Sequence, residues 1–183
     1  MKHYWWQPFL IPFTLLGYVA TLLVLPFYRP GAIQFYKGCI ELFDRTPDSR
    51  TTTIWGRPGG QSWGIRVIWY NRRAGQAWAG LRIHERVHTL HGEWTNAIAH
   101  AVLVPLGFYL DGWDWGWLSI GSIVLSQAAF GILYGAHFLI EWARVGFKPS
   151  RWNDAYLRIW SERVAYRVQE EFERGGRDDA WGF

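Results

Sequence analysis

Three long stretches without a charged side chain constrain this chain more than anything else in it. Residues 5–28, "WWQPFLIPFTLLGYVATLLVLPFY", residues 95–110 and residues 115–140 contain no Asp, Glu, Lys or Arg. At a rise of about 1.5 Å per residue, the first and third are long enough as helices to cross a hydrocarbon core of about 30 Å. The second is short and holds His100 and Pro105. Only "DGWDW" lies between the second and third, so the two are expected to form a membrane hairpin, with Trp113, Trp115 and Trp117 at headgroup level. No small-x-small cleavage site follows the first run, which favours a retained helix over a signal peptide. The sequence therefore predicts a mainly α integral membrane protein with about three transmembrane helices. Three crossings would place the polar segments 29–94 and 141–183 on one side.

The 183 residues suit one domain, 1–183, rather than two. Half the residues are hydrophobic, 14 of them Trp, while mean hydropathy is slightly negative, so the apolar residues must sit in blocks. The net charge of +4 comes from Arg and Lys scattered among carboxylates, without a basic run. That pattern suits a surface beside anionic lipid and argues against nucleic acid as a partner. Cys39 is the only cysteine, which excludes an internal disulfide and any zinc site built on paired cysteines.

The polar segment 29–80 contains "TTTIWGRPGGQSWGIRVIWYN", with β-branched and aromatic residues on both sides of "RPGG", and predicts a small β-hairpin there. From Leu81 the pattern turns helical through 94, and this helix is expected to run straight into the second crossing. Pro149 punctuates a loop, with Asn153 or Asp154 as an N-cap. Apolar residues at 156, 157, 160, 164, 165, 168 and 172 then mark an amphipathic C-terminal helix within 150–175, closed by Gly175.

The chemistry is concentrated in residues 81–94, "LRIHERVHTLHGEW". His84, Glu85 and His88 form an HExxH match. Residues four apart on a helix share a face, so the two imidazoles can approach one Zn2+ at about 2.0–2.1 Å, with Glu85 beside it as a general base. His91 falls on the same face, but lies about 10.5 Å along the axis from His84, too far for one ion to bridge. The sequence also lacks the Gly and His that a metzincin would place at 91 and 94. Two carboxylates are available as a third ligand: Glu162 in the final helix, which is preferred, and Glu141, one turn after His137.

HExxH followed much later by a helical ExxA resembles the gluzincin arrangement of membrane metallopeptidases. That resemblance covers about a tenth of the chain. It implies a zinc held by His84, His88 and Glu162, with Glu85 as general base and peptide hydrolysis near a membrane. The family's usual Asp is replaced by Tyr166. "HERVH" ahead of a hydrophobic hairpin is also similar to small bacterial membrane proteins of unassigned activity. Tyr166, one turn beyond Glu162, is a candidate to stabilise an oxyanion.

His100 and His137 lie within the apolar runs, where they would either bond a neighbour or, if they faced each other, bind haem or chlorophyll. Gly131 and Gly135 form a GxxxG pair, expected to pack within the protein's own hairpin. Arg158 and Arg163 are expected in surface ion pairs. Arg29, Lys37, Arg144, Lys148 and Arg151 on the polar side, against Lys2 on the other, turn the site toward the cytoplasm by the positive-inside rule, at an inner membrane. The expectation is a membrane-bound zinc peptidase acting on a membrane-associated polypeptide. The alternative is a non-catalytic accessory or structural subunit of a larger membrane complex.

Overall fold

A computed structural model describes residues 7–25, 30–36, 38–43, 60–62, 65–70 and 79–175. Within them the protein is mainly helical, with one small mixed sheet. The sheet has strands β1 (Ala32–Tyr36), β2 (Cys39–Phe43), β3 (Gly60–Ser62) and β4 (Val67–Tyr70) in the order β1-β2-β4-β3. β1 and β2 form an antiparallel hairpin through Gly38, whose φ of 81° suits glycine. β2 runs parallel to β4, and β4 pairs antiparallel with β3, Gln61 opposite Trp69. β3 and β4 both lie in the part of "TTTIWGRPGGQSWGIRVIWYN" that follows Pro58 and Gly59. Gly60 belongs to β3, and the strand expected before "RPGG" falls in residues 51–59, outside the described residues.

Both faces of the sheet are packed at β2 and β4, while Ile33 and Phe35 of the edge strand β1 stay exposed. Cys39, Phe43, Ile68 and Tyr70 pack on Leu81 of the long helix α2 (Ala79–Leu110). On the opposite face, Leu42, Ile65 and Val67 meet Tyr18 and Leu25, in and just after α1 (Leu15–Val24). Two ion pairs fix α2 to the sheet. Arg82 binds the fully buried Glu41 of β2, which also accepts from the Tyr70 hydroxyl, and Glu93 binds Arg66. Positions 82 and 93 are eleven residues apart, close to three full turns, so both point to the same side of the helix.

The first half of α2 is buried nearly all round. Its far side packs Ile83 and Val87 against Ala165 and Val168 of α6 (Trp160–Glu173). The second half is continuous with the first, as the sequence suggests, and turns through Asp111 to Gly116 into α3 (Trp117–Gln127). Asp111 holds the start of α3 by accepting from the Ser119 N–H at 2.6 Å and the Ser119 hydroxyl at 2.8 Å. Gly107 allows the two helices to approach: a Cβ there would lie 2.7 Å from the Leu118 carbonyl oxygen.

Three expectations are corrected here. Residues 5–28 do not form one spanning helix: Gln7–Thr14, with Pro12 inside, is a 3-10 segment, and α1 adds only ten residues. The run 115–140 is broken at Ala128, where α3 and α4 (Ala129–Arg144) meet at 63°. No single described helix is long and apolar enough to cross a membrane, although the bent pair α3–α4 meets that test together. Asn96 of α2 is the physical reason the break is tolerated. It donates to the Gln127 carbonyl and accepts from the Phe130 N–H, both at 3.0 Å, taking up backbone groups that a continuous helix would satisfy itself. Finally, the C-terminal helix is two: α5 (Trp152–Arg158) and α6, separated by Ile159, whose backbone is extended. Pro149 lies in a short 3-10 turn, Arg151 rather than Asn153 or Asp154 occupies the N-cap, and Gly175 follows the end of α6 at φ 92°.

Candidate metal centre

His84 and His88 occupy the side of α2 turned away from the sheet, one turn apart. Glu162 reaches them from the first turn of α6. The two imidazole Nε2 atoms are 3.2 Å apart; Glu162 Oε2 lies 3.3 Å from His84 Nε2, and Oε1 lies 3.1 Å from His88 Nε2. All three side chains are buried. A tetrahedral ion with ligand bonds of about 2.0–2.1 Å requires donors about 3.3 Å apart. The spacing therefore fits, and His84, His88 and Glu162 form a group able to hold a metal ion.

The electrostatics describe what the three groups do for one another. Burial alone would raise the Glu162 carboxyl, but His88 and His84 beside it hold it far below the usual carboxylate range. Burial would lower His88, yet the Glu162 charge and hydrogen bond raise it. This is a buried anion seeking a cation, which a proton or a metal can satisfy. The Nδ1 atoms of both histidines are buried and make no hydrogen bond among the described residues, so the orienting partners often found behind zinc-binding imidazoles are absent there.

Orientation comes instead from around the carboxylate. The Tyr134 hydroxyl of α4 donates to Glu162 Oε1 at 2.7 Å, and Tyr156 of α5 also reaches Glu162. Sequence reading did not single out either tyrosine. The only signal for Tyr134 is its place three residues beyond Gly131, and Tyr156 shows no signal before the break at Ile159 brings it round. Tyr166, proposed from sequence, packs its ring edge-on to His84 at 4.5 Å.

A cavity of about 380 Å3 opens beside the group. Its walls include Glu85, His88 and Glu162, strand β3, and Phe130, Gly131, Tyr134 and Tyr156. Glu85 is buried, yet lines this space, and burial raises its carboxyl above the ordinary range. The Ser62 backbone N–H donates to it. Gly60 is required by proximity: a Cβ there would lie 2.6 Å from Glu85 Cγ and 2.9 Å from Tyr70 Cε1. Thr89, one turn after Glu85, secures β3 through a 2.9 Å bond with Ser62 and another to the Ile65 carbonyl.

The remaining candidates go elsewhere. Glu141 is bound to Arg144, with His137 3.5 Å away. His91 stacks on Trp160 at 4.5 Å, and burial lowers its pKa to about 4. His100 bonds the Asn96 carbonyl and lies edge-on to Phe13, whereas His137 accepts from the Trp160 N–H. These two do not face each other, so they form no joint haem or chlorophyll site. Arg158 and Arg163 are exposed.

Comparison with protein-family models, with curated proteins and with solved structures returned no match.

Proposed function

We propose that the protein is a membrane-bound, zinc-dependent peptidase that hydrolyses peptide bonds at the membrane surface. The observation that carries the reading is the convergence of His84, His88 and the Glu162 carboxylate, buried together, with Glu85 on the wall of the adjoining cavity. Imidazole, imidazole and carboxylate are the donor types of catalytic zinc sites, leaving one position open. Zinc there supplies Lewis acidity to a peptide carbonyl and favours deprotonation of water near neutral pH.

The chain's own residues supply the rest. Glu85 takes a proton from the attacking water and delivers it to the departing amine as the C–N bond breaks, so that the water oxygen ends on the carbonyl carbon. Its raised pKa suits a group that must both accept and return a proton. Tyr134 fixes Oε1 of Glu162, the oxygen beside His88, and so holds Oε2 beside His84.

Membrane association is supported by the exposed apolar surface. Ile98, Val102, Leu106, Leu118, Val124 and Leu133 are all about half exposed or more, and Trp113, Trp115 and Trp117 are 70–87% exposed. The cationic Arg144, Lys148 and Arg151 at the end of α4 favour a cytoplasmic orientation. The same surface would suit an accessory subunit in a larger complex.

Glu85→Gln separates the two readings. A peptidase keeps its metal and loses about 10²–10⁴-fold in turnover of a quenched casein or peptide probe, whereas a structural subunit is indifferent. Metal analysis of protein purified without chelator should give close to one zinc per chain. Less than about half an equivalent would overturn the zinc reading.

A further inference from the structure

We propose that His137 and His91 are positioning residues for the metal centre. They act from α4 and α2 on Trp160, the first residue of α6, and so hold Glu162, two residues further on, against His84 and His88. This role rests on the metal-site part of the reading above and not on peptide hydrolysis.

A glutamate in the first turn of a helix ordinarily has another use. At the third helical position it can fold back to accept the backbone N–H of its own N-cap, closing one of the donors that a helix start leaves open. Glu162 holds that position in α6, with Ile159 as the N-cap. Here the Ile159 N–H is already taken by the Tyr156 carbonyl at 3.1 Å, and the Glu162 carboxylate is turned to the histidines instead. Neither neighbour replaces it as a cap. Ile159 has an apolar side chain, and the buried Ser161 hydroxyl makes no hydrogen bond among the described residues.

The cap comes from another helix. The Trp160 N–H donates to His137 Nδ1 at 3.3 Å. An imidazole nitrogen accepts only when it carries no proton, which requires the tautomer with hydrogen on Nε2. Nε2 faces Glu141 Oε1 at 3.5 Å, one turn along α4, and that carboxylate, also bound by Arg144, favours this tautomer. The Trp160 ring is fixed separately: it stacks on His91, with centroids 4.5 Å apart and planes 29° from parallel. His91 lies about one turn beyond His88, on the helix that carries both imidazoles of the metal group. Trp160 therefore ties the start of α6 to α4 through its backbone and to α2 through its side chain. With the cap supplied from outside, Glu162 is free to serve the ion.

The test measures zinc affinity of the full chain in detergent by competition with a fluorescent chelator. The visible spectrum of the Co2+-loaded protein reports the coordination geometry, and melting temperature reports folding. The His137 side chain is 32% exposed, so its bond competes with water. His137→Ala should weaken zinc binding about three- to fivefold, the lower half of a hydrogen bond's net contribution. His137→Asn, which keeps an acceptor in reach, should restore most of that loss. His91→Ala should weaken binding about two- to tenfold, the range for one aromatic stack. The decisive background is Trp160→Ala, which removes the ring and keeps the N–H. There His91→Ala should have no further effect, while His137→Ala keeps its own. A general loss of stability does not produce that split, nor does it alter the Co2+ spectrum of the folded fraction.

A change below twofold in either His137→Ala or His91→Ala overturns the proposal and leaves the metal site standing. So does a His91→Ala effect that persists without the Trp160 ring. Should His137→Ala fail to fold, the His91 comparison in the two Trp160 backgrounds decides. An unsubstituted protein that takes up no zinc overturns the metal reading and this role with it. Zinc binding with these dependences, but without cleavage of any peptide, sustains the positioning role and removes only the peptidase.

Discussion

Replacing Tyr134 by Phe removes one hydroxyl and leaves the ring in place. That hydroxyl donates at 2.7 Å to Oε1 of a carboxylate that is only 1% exposed, on the wall of the cavity that both residues line. A hydrogen bond to a charged group contributes about 1.5–3 kcal/mol. At about 1.4 kcal/mol per decade, its loss weakens metal binding by about 10- to 140-fold if the whole of it is spent on holding Glu162 in its ligating position. Tyr156 also reaches Glu162 and retains part of the orientation, which favours the lower half of that range. Competition between the protein and a fluorescent zinc chelator at pH 7.5 measures the ratio directly. The double variant Tyr134→Phe/Tyr156→Phe should fall further than either single change. A Tyr134→Phe affinity within threefold of the original, in a protein that melts normally, would refute the claim that this hydroxyl orients the third ligand.

Gly60→Ala places a methyl 2.6 Å from Glu85 Cγ; it should cost about 1–3 kcal/mol in urea denaturation and depress turnover by more than it weakens zinc binding. Asn96→Ala strips the break at Ala128 of both its partners, and a loss of about 2–4 kcal/mol is expected from two buried backbone groups left unsatisfied; a melting temperature within 2 °C of the original would contradict that. His91 has a folded pKa of about 4 against an ordinary 6.5, so the folded state rejects a proton that the unfolded chain accepts. Its contribution is present above pH 6.5 and is lost as pH falls from 6.5 to 4. His91→Phe, which keeps a ring against Trp160, should therefore lose less stability across that window than the unsubstituted protein, as followed by denaturation at pH 7, 5.5 and 4.5.

The helical half of the site was legible because its signal is local. His84, Glu85 and His88 sit within five residues, and the helix that carries them needs only its own periodicity to be recognised. Glu162 could be nominated from its helical ExxA context, but not from any spacing to the histidines, since its arrival depends on how α5 and α6 fold back on α2. Tyr134 and the place of β3 beside the site are not legible for the same reason: each reaches the site through tertiary packing. The second apolar run continues α2 as expected, whereas the first and third are interrupted and not continuous rods. Hydropathy sums over a window and is blind to where a helix stops, and at Ala128 the stop is stabilised by Asn96, more than thirty residues away. The Gly131–Gly135 pair shows the converse: a Cβ at either glycine meets no described atom within 4 Å, so the partner expected from the local motif is not among the described residues.

The unbroken course of α2 has a mechanical consequence. With Asn96 as the point held by the α3–α4 break, the arm to His84 is about 18 Å and the arm to Leu110 about 21 Å at 1.5 Å per residue. A stiff lever pivoting there would carry the histidine pair a little under 1 Å for a sideways displacement of about 1 Å at the apolar end, a motion that the Arg82–Glu41 pair and the packing of Ile83 and Val87 on α6 resist. Ligand distances in a working metal site tolerate only about 0.2 Å. The group able to hold a metal is thus split between α2 and α6, and its geometry depends on the contacts that keep those two helices in register.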